Sequence, residues 1–284
     1  MMKYRSYLRT LIIIISCCTA SAYSKVIIWD LGDTLFGTSY VTFARQIGVH
    51  HFINYMLFDW QSPNIRPMVF DVLSKINPPE EFPREIATDS EGTPLPIIMN
   101  RWLAGIISGQ ELLKSVRDYI EHLDKQKYFI SNRQKTLVLK TLEQMFDPES
   151  LVNATYPLPD AIALLNDCYH AKKPDGSPKN TLLVLSNWDT VSFDLLQKRY
   201  ADIFDTYFKK NHIIVSGAIG LIKPEKEAFK YVLNTYKLDP ADCIFINDLY
   251  ENVLAAQAAG ITALTICKGN YKSLRAILKK LDAL

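Results

Sequence analysis

Asp30 closes the apolar run Lys25-Val26-Ile27-Ile28-Trp29 and opens the stretch Leu31-Gly32-Asp33-Thr34-Leu35. A continuous apolar run of this length reads as a strand buried on both faces. A glycine-containing turn after it points backbone N–H groups at an incoming anion. Taken alone, the pattern fits equally an Asp30 that caps a turn and a solvated Asp33, because Asp is common in turns. Other segments supply complementary chemistry. Leu182-Leu183-Val184-Leu185 ends in Ser186-Asn187, whose hydroxyl can hydrogen-bond a phosphoryl oxygen. Cys243-Ile244-Phe245-Ile246 ends in Asn247-Asp248, a second hard oxygen ligand. Lys223, in Gly220-Leu221-Ile222-Lys223-Pro224-Glu225, offers a fixed positive charge that would hold a nucleophilic carboxylate and substrate oxygens together against their repulsion. Two carboxylates, a backbone carbonyl, phosphate and waters make a Mg²⁺ shell. The metal and the lysine together would neutralise the charge that opposes attack by a carboxylate.

These residues need a scaffold that brings strand ends together. Ile261 to Ile266 is a fourth apolar run, and helical patterns lie between the runs at Pro159 to Tyr169, Val191 to Tyr200, Glu225 to Tyr236 and Asn252 to Ala259. Gly260 stands where a helix C-terminal glycine belongs. Strands alternating with helices predict an α/β fold, a Rossmann-like doubly wound parallel sheet with helices on both faces. Ligands bind such sheets at the carboxyl ends of the strands, where Asp30, Ser186 and Asp248 fall. Residues 37–149 break the rhythm and read mainly as helices, with Pro78 to Pro96 a Pro- and charge-rich loop. The expected organisation is therefore a core of residues 23–36 and 150–284, carrying residues 37–149 as an inserted helical cap.

Bulk properties narrow the function classes. The chain has 284 residues, 48% of them apolar, so a large core is available and wholesale disorder is excluded. A net charge of +2 with no long basic run argues against a nucleic-acid partner. Residues 1–22 read as a secretory signal peptide: Lys3, Arg5 and Arg9, then the apolar Leu11 to Ile15, then Ala20-Ser21-Ala22. About 20 apolar residues are needed to span a bilayer, and this run is much shorter. The expected location is exported, periplasmic or secreted, and cytoplasmic if the leader does not function. Cleavage after Ala22 removes three of the 32 basic residues and none of the 30 acidic ones, leaving −1. Ile14-Ile15-Ser16-Cys17 also fits a loose lipoprotein pattern with Cys17 lipidated. Two of five cysteines lie in the leader; Cys168, Cys243 and Cys267 remain, and buried free thiols are expected rather than a disulfide framework.

At this point the sequence resembles the haloacid dehalogenase superfamily. Its four motifs occur in order: Asp30-Leu-Gly-Asp-Thr34; Leu185-Ser186-Asn187; Lys223-Pro224; and Phe245-Ile246-Asn247-Asp248 with Asn252, Ala255, Ala256 and Gly260 behind it. Trp102-x-x-Gly105-Ile-Ile-Ser108 looks like a recurring piece of the helical cap, and the set resembles the branch with a cap after the first motif. The resemblance implies a phosphatase acting on a small phosphorylated metabolite. Asp30 would attack phosphorus and bind Mg²⁺, Gly32 would lend the metal its backbone carbonyl, and Asp248 would complete the protein ligands. Ser186 and Lys223 would orient and neutralise the phosphoryl group, with Asn187 beside them as a substrate-binding residue.

The chain departs from the family pattern at two positions. The family's general acid–base aspartate sits two residues after the nucleophile, where this chain has Gly32; Asp33 comes one position later and points elsewhere along the turn. Such acid–base help is worth about 10²–10⁴-fold in rate, so a slow enzyme, a good leaving group or another proton donor is expected. Relatives with glycine here resemble active phosphatases. Asn247 replaces a common acidic residue beside the metal aspartate, which should weaken Mg²⁺ binding. Two other functions compete. A carbon–halogen hydrolase would need no Mg²⁺, and such relatives carry tyrosine where this chain has Gly32. A catalytically inactive descendant would bind a phosphorylated ligand or partner. Trp188 and Asp189 are read as packing or surface residues that could edge the pocket, His50 and His51 as side chains that do not face one another, and Arg45, Arg66 and Arg101 as solvated positions on the insert.

Overall fold

The computed structural model describes residues 24–76, 86–89, 91–266 and 269–284. The leader and Cys267 lie outside them. Its strands are β1 Lys25–Trp29, β2 Phe36–Thr38, β3 Thr155–Pro157, β4 Asn180–Ser186, β5 Ile213–Val215, β6 Cys243–Asn247 and β7 Thr262–Thr265. Alternation along β1 explains its central place. Val26 and Ile28 pack on one face with Leu183, Leu185, Cys243 and Phe245. Ile27 and Trp29 pack on the other with Leu182, Val184, Ile244 and Ile246. A strand apolar on both faces has to be covered on both, and helices cover both. Ile27 lies opposite Leu182 on β4 and opposite Ile244 on β6, both pairings parallel.

The sheet order is β5-β4-β1-β6-β7, and each pair is parallel. The expected doubly wound parallel sheet is present. The chain lays β4 and β5 on one side of β1, then crosses back to lay β6 and β7 on the other. The order reverses beside β1, and a crevice opens there at the carboxyl ends of the strands, the usual ligand position in open α/β sheets. Cys168 and Cys243 are buried free thiols, and burial pushes both up to about 12. No helix among the described residues is long and apolar enough to cross a membrane.

Between β2 and β3 the chain forms helices Tyr40–Ile47, Val49–Asp59, Arg66–Lys75, Ile97–Leu103, Gly109–Lys125, Asn132–Met145 and Pro148–Ala154. They enclose a hydrophobic cluster of their own, centred on Val72, Leu73, Leu112, Val116, Leu137 and Leu142. Helix Gly109–Lys125 shows why. Ser108 and Glu111 cap its N-terminus reciprocally, and Leu112, Val116, Ile120 and Leu123 form a buried stripe at helical spacing. The incoming and outgoing chains pair as an antiparallel ribbon, Phe36 opposite Pro157 and Thr38 opposite Thr155.

The insert also touches the core at a second place. Ser216 Oγ donates to Leu103 O at 2.7 Å. Gly105 has φ +70°, and a Cβ there would lie 2.3 Å from Gly217 O. Gly217 is crowded in turn, with its Cβ position 2.9 Å from Trp188 O. The Trp102 to Ser108 segment thus combines a packing residue, a backbone contact that only glycine allows, and a helix cap. Gly105→Ala combines left-handed strain with a backbone overlap. It is expected to lower the unfolding free energy by about 1–3 kcal/mol in a urea titration. An unchanged midpoint would show that the insert does not rest on this contact in solution.

Candidate active site

Asp30 leaves the end of β1 only 6% exposed. Its backbone N–H still bonds Ile246 O on β6 at 3.1 Å, which fixes the residue in the sheet. Its Oδ1 accepts from Leu31 N at 2.8 Å and from Ser186 Oγ at 2.7 Å, and forms an ion pair with Lys223 Nζ at 2.7 Å. Asn247 Nδ2 donates to Oδ2. One carboxylate therefore gathers three donors, from the turn after β1, the end of β4 and the end of β6, and a cation from the segment before helix Lys226–Tyr236. These leave little freedom to the carboxylate, though Oδ2 keeps a lone pair.

Lys223 is 1% exposed. Burial pulls its ammonium below the ordinary value, while Asp30, and more weakly Asp248, pull it back up. Its backbone is clamped by Asn187: Lys223 N donates to Asn187 Oδ1 and Asn187 Nδ2 donates to Lys223 O, both at 2.8 Å. The Asn187 amide is thus committed to positioning Lys223, while the residue itself lines the cleft above. Asn247 is likewise a positioning residue: its Oδ1 accepts from Leu249 N and Asn252 Nδ2, both at 2.9 Å, which turns its Nδ2 toward Asp30. The sequence marks Asn247 as a position that lacks a charge; as a donor beside Asp30 it takes its direction from Asn252, in the first turn of the helix Tyr250–Ala258.

Asp248 faces the same crevice. Burial first, then the Asp30 and Asp33 charges, push its carboxyl up to about 7, against the lowering effect of Lys223. No three of His, Cys, Asp and Glu among the described residues cluster as a ready-made metal cage. Two converging carboxylates with no third suit Mg²⁺, which keeps several waters and takes one or two carboxylates plus substrate phosphate. Gly32 lines the cleft, and a Cβ there would meet nothing within 4 Å. Asp33 takes a left-handed φ of +48°. It acts on Asp248 through its charge and is not among the cleft-lining residues.

Other positions fall as follows. Trp188 and Asp189 line the cleft; Asp189 also caps helix Thr190–Arg199, and its Oδ2 has no hydrogen-bond partner among the described residues. Arg101, expected on a solvated face, is buried within the insert, on the short helix Ile97–Leu103 with the buried Ile98, Met99, Asn100 and Trp102. The rings of His50 and His51, expected not to face one another, lie 4.0 Å apart in the first turn of helix Val49–Asp59.

A family model described as haloacid dehalogenase-like hydrolase matches residues 24–260. A 63-residue stretch is 38% identical to the sesquiterpene phosphatase of Aspergillus oryzae and covers 22% of this chain and 29% of that protein. An 88-residue stretch is 28% identical to bifunctional epoxide hydrolase 2 of Rattus norvegicus and covers 30% of this chain and 15% of that one. The chain thus spans less than a third of the curated relatives it matches. The crystal structure of a HAD family hydrolase from Deinococcus radiodurans, with bound phosphate and sodium, superposes with a TM-score of 0.52. It is 16% identical and the match covers 92% of this chain and 97% of that one, which shows a shared fold.

The raised Asp248 carboxyl has a consequence for stability. Its folded-state value lies above the roughly 3.9 of an unfolded chain, so the metal-free folded protein holds the extra proton. Stability then falls as pH rises from about 4 through about 7. In chelator-treated protein, Asp248→Asn is expected to raise the thermal midpoint at pH 8, with the gap closing toward pH 4. Matching midpoints at pH 8 would mean that neither burial nor the neighbouring carboxylates hold Asp248 above its unfolded value.

Proposed function

This chain belongs to the haloacid dehalogenase-like hydrolases, and we propose that it is a Mg²⁺-dependent phosphatase that cleaves phosphate monoesters through an aspartyl-phosphate at Asp30. The observation that carries this reading is the buried Asp30 carboxylate held between Ser186, Lys223 and Asn247. An oxygen of Asp30 attacks phosphorus, the bond to the leaving oxygen breaks, and water later attacks the aspartyl-phosphate to release phosphate and restore the carboxylate. Phosphoryl transfer asks the protein mainly for positioning and charge neutralisation. Lys223 supplies a cation in a site with little water, where its effect is large. Ser186 Oγ is placed to share its proton between Asp30 and a phosphoryl oxygen. Asp30, Asp248 and the Gly32 carbonyl would hold Mg²⁺, which when bound offsets negative charge on the phosphoryl oxygens. A carbon–halogen reaction needs no cation and leaves the repulsion between Asp30 and Asp248 without a purpose. The same proposal places the enzyme outside the cytoplasm, on the leader read at residues 1–22.

Gly32 leaves the departing alkoxide without a neighbouring acid at that position. It takes its proton from water, so poor leaving groups depart slowly. The test uses the full chain with 4-nitrophenyl phosphate, with and without Mg²⁺. Turnover should require Mg²⁺ and fall by about 10³-fold or more in Asp30→Asn. Equal rates in the two proteins would remove Asp30 as nucleophile.

The open space at Gly32 admits a side chain without overlap. Gly32→Asp should therefore fold normally and speed hydrolysis of alkyl phosphates by about 10²-fold, with a smaller gain for aryl phosphates. No gain in kcat for the alkyl series, with an unchanged melting curve, would show that proton transfer is already supplied.

A further inference from the structure

The floor of the cleft holds Gly32, Asn187 and Asp248, and the cleft rises from there into the insert with a volume of about 1170 Å³. That is above the usual range for small-molecule sites, about 300–1,000 Å³, and far more than a phosphate fills. Its walls are largely apolar: Phe43, Phe52, Val69, Phe70, Met99 and Trp102 face it from four helices. Arg66, Asp89 and Glu91 also line it, yet they are committed to one another. Arg66 Nη2 pairs with Asp89 and Nη1 with Glu91, and Nη2 also reaches Thr93 Oγ1 at 3.1 Å. Thr141 Oγ1 donates to Leu137 O at 2.8 Å, and Asn64 Oδ1 accepts from Arg66 N at 3.2 Å.

We infer that the leaving group of this enzyme is a long apolar alcohol, so the substrate is a phosphate monoester of lipid-like rather than sugar-like chemistry. The inference rests on the reading that the phosphoryl group sits at Asp30. Above that point the walls offer apolar surface to cover, and Arg66, Asp89, Glu91, Thr141 and Asn64 are paired within the protein; Asp189 Oδ2 is a buried polar atom of the lining without a partner among the described residues. Each sugar hydroxyl taken from water without a partner would weaken binding by about tenfold or more. Each methylene laid against the walls would strengthen it by about fourfold.

The experiment separates the ligand class from the reaction. Butyl-, hexyl-, octyl- and decylphosphonate, which are not hydrolysed, are titrated calorimetrically into the full chain with Mg²⁺, below their micelle concentrations. Hydrolysis of 4-nitrophenyl phosphate is followed in the same preparation. The Kd should fall about fourfold per methylene, and glucose 6-phosphate should bind more weakly than hexylphosphonate. Phe43→Asn should weaken decylphosphonate binding more than butylphosphonate binding. A Kd independent of chain length, or tighter binding of the sugar phosphate, overturns the inference whatever the turnover. A chain-length-dependent Kd without aryl phosphate turnover upholds the ligand class and overturns the phosphatase reading. If Phe43→Asn does not fold, the series on the unaltered chain still decides.

Discussion

A lysine ammonium and an aspartate carboxylate share a place almost closed to water, and much of the core is arranged around keeping them there. Each charge alone would be costly to bury, and removing one partner of such a pair typically costs about 3–5 kcal/mol. The Lys223–Asp30 contact at 2.7 Å therefore needs support on both sides. On the aspartate side it is the sheet: β4, β1 and β6 end at the same level, and their last residues supply Ser186 and Asn247. On the lysine side it is Asn187, whose amide takes both backbone hydrogen-bonding groups of Lys223. The apolar residues of the strands hold the register that brings these polar ends together.

The charge balance around the pair differs from what the family pattern leads one to expect. Gly32 and Asn247 each stand where an acidic side chain is usual, so two negative charges are missing near Asp30. Asn247 does more than leave a charge out. It turns an N–H donor to Asp30 where a carboxylate would have repelled it. Burial first, with repulsion from Asp30 and Asp33 added, still lifts Asp248 to about 7. The site is thus less negative than its relatives' pattern, yet still short of positive charge when no cation is bound.

How much of this could be read from residues alone follows from which signals are local. β1, β4 and β6 were legible because two-sided burial leaves uninterrupted apolar runs, and the polar residue that ends each run marks the site. The three residues of β5 and the β2–β3 ribbon were not, since such short strands exist only through their neighbours. Arg101 differs because charge argues for the surface, whereas its short helix buries the five consecutive residues Ile98 to Trp102. The cleft walls were hidden for a related reason. Phe43, Phe52 and Val69 belong to the same apolar stripes that fill the insert's own core, and sequence spacing does not say which of two interiors a side chain faces.

The places where insert and core meet, which include helix Pro148–Ala154 packed on helix Thr190–Arg199, have unequal mechanical meaning. The β2–β3 ribbon carries both crossing chains and cannot separate without breaking its ladder. At the Gly105–Gly217 contact two backbones lie against each other beside one hydrogen bond from Ser216 and a small buried cluster of Ala87, Ala104 and Ile222. Any movement of the insert would turn about Phe36–Thr38 and Thr155–Pro157, where both chains cross, and would part the Gly105 edge from Gly217. How the insert sits would then govern access to the cleft as much as the residues at its floor do.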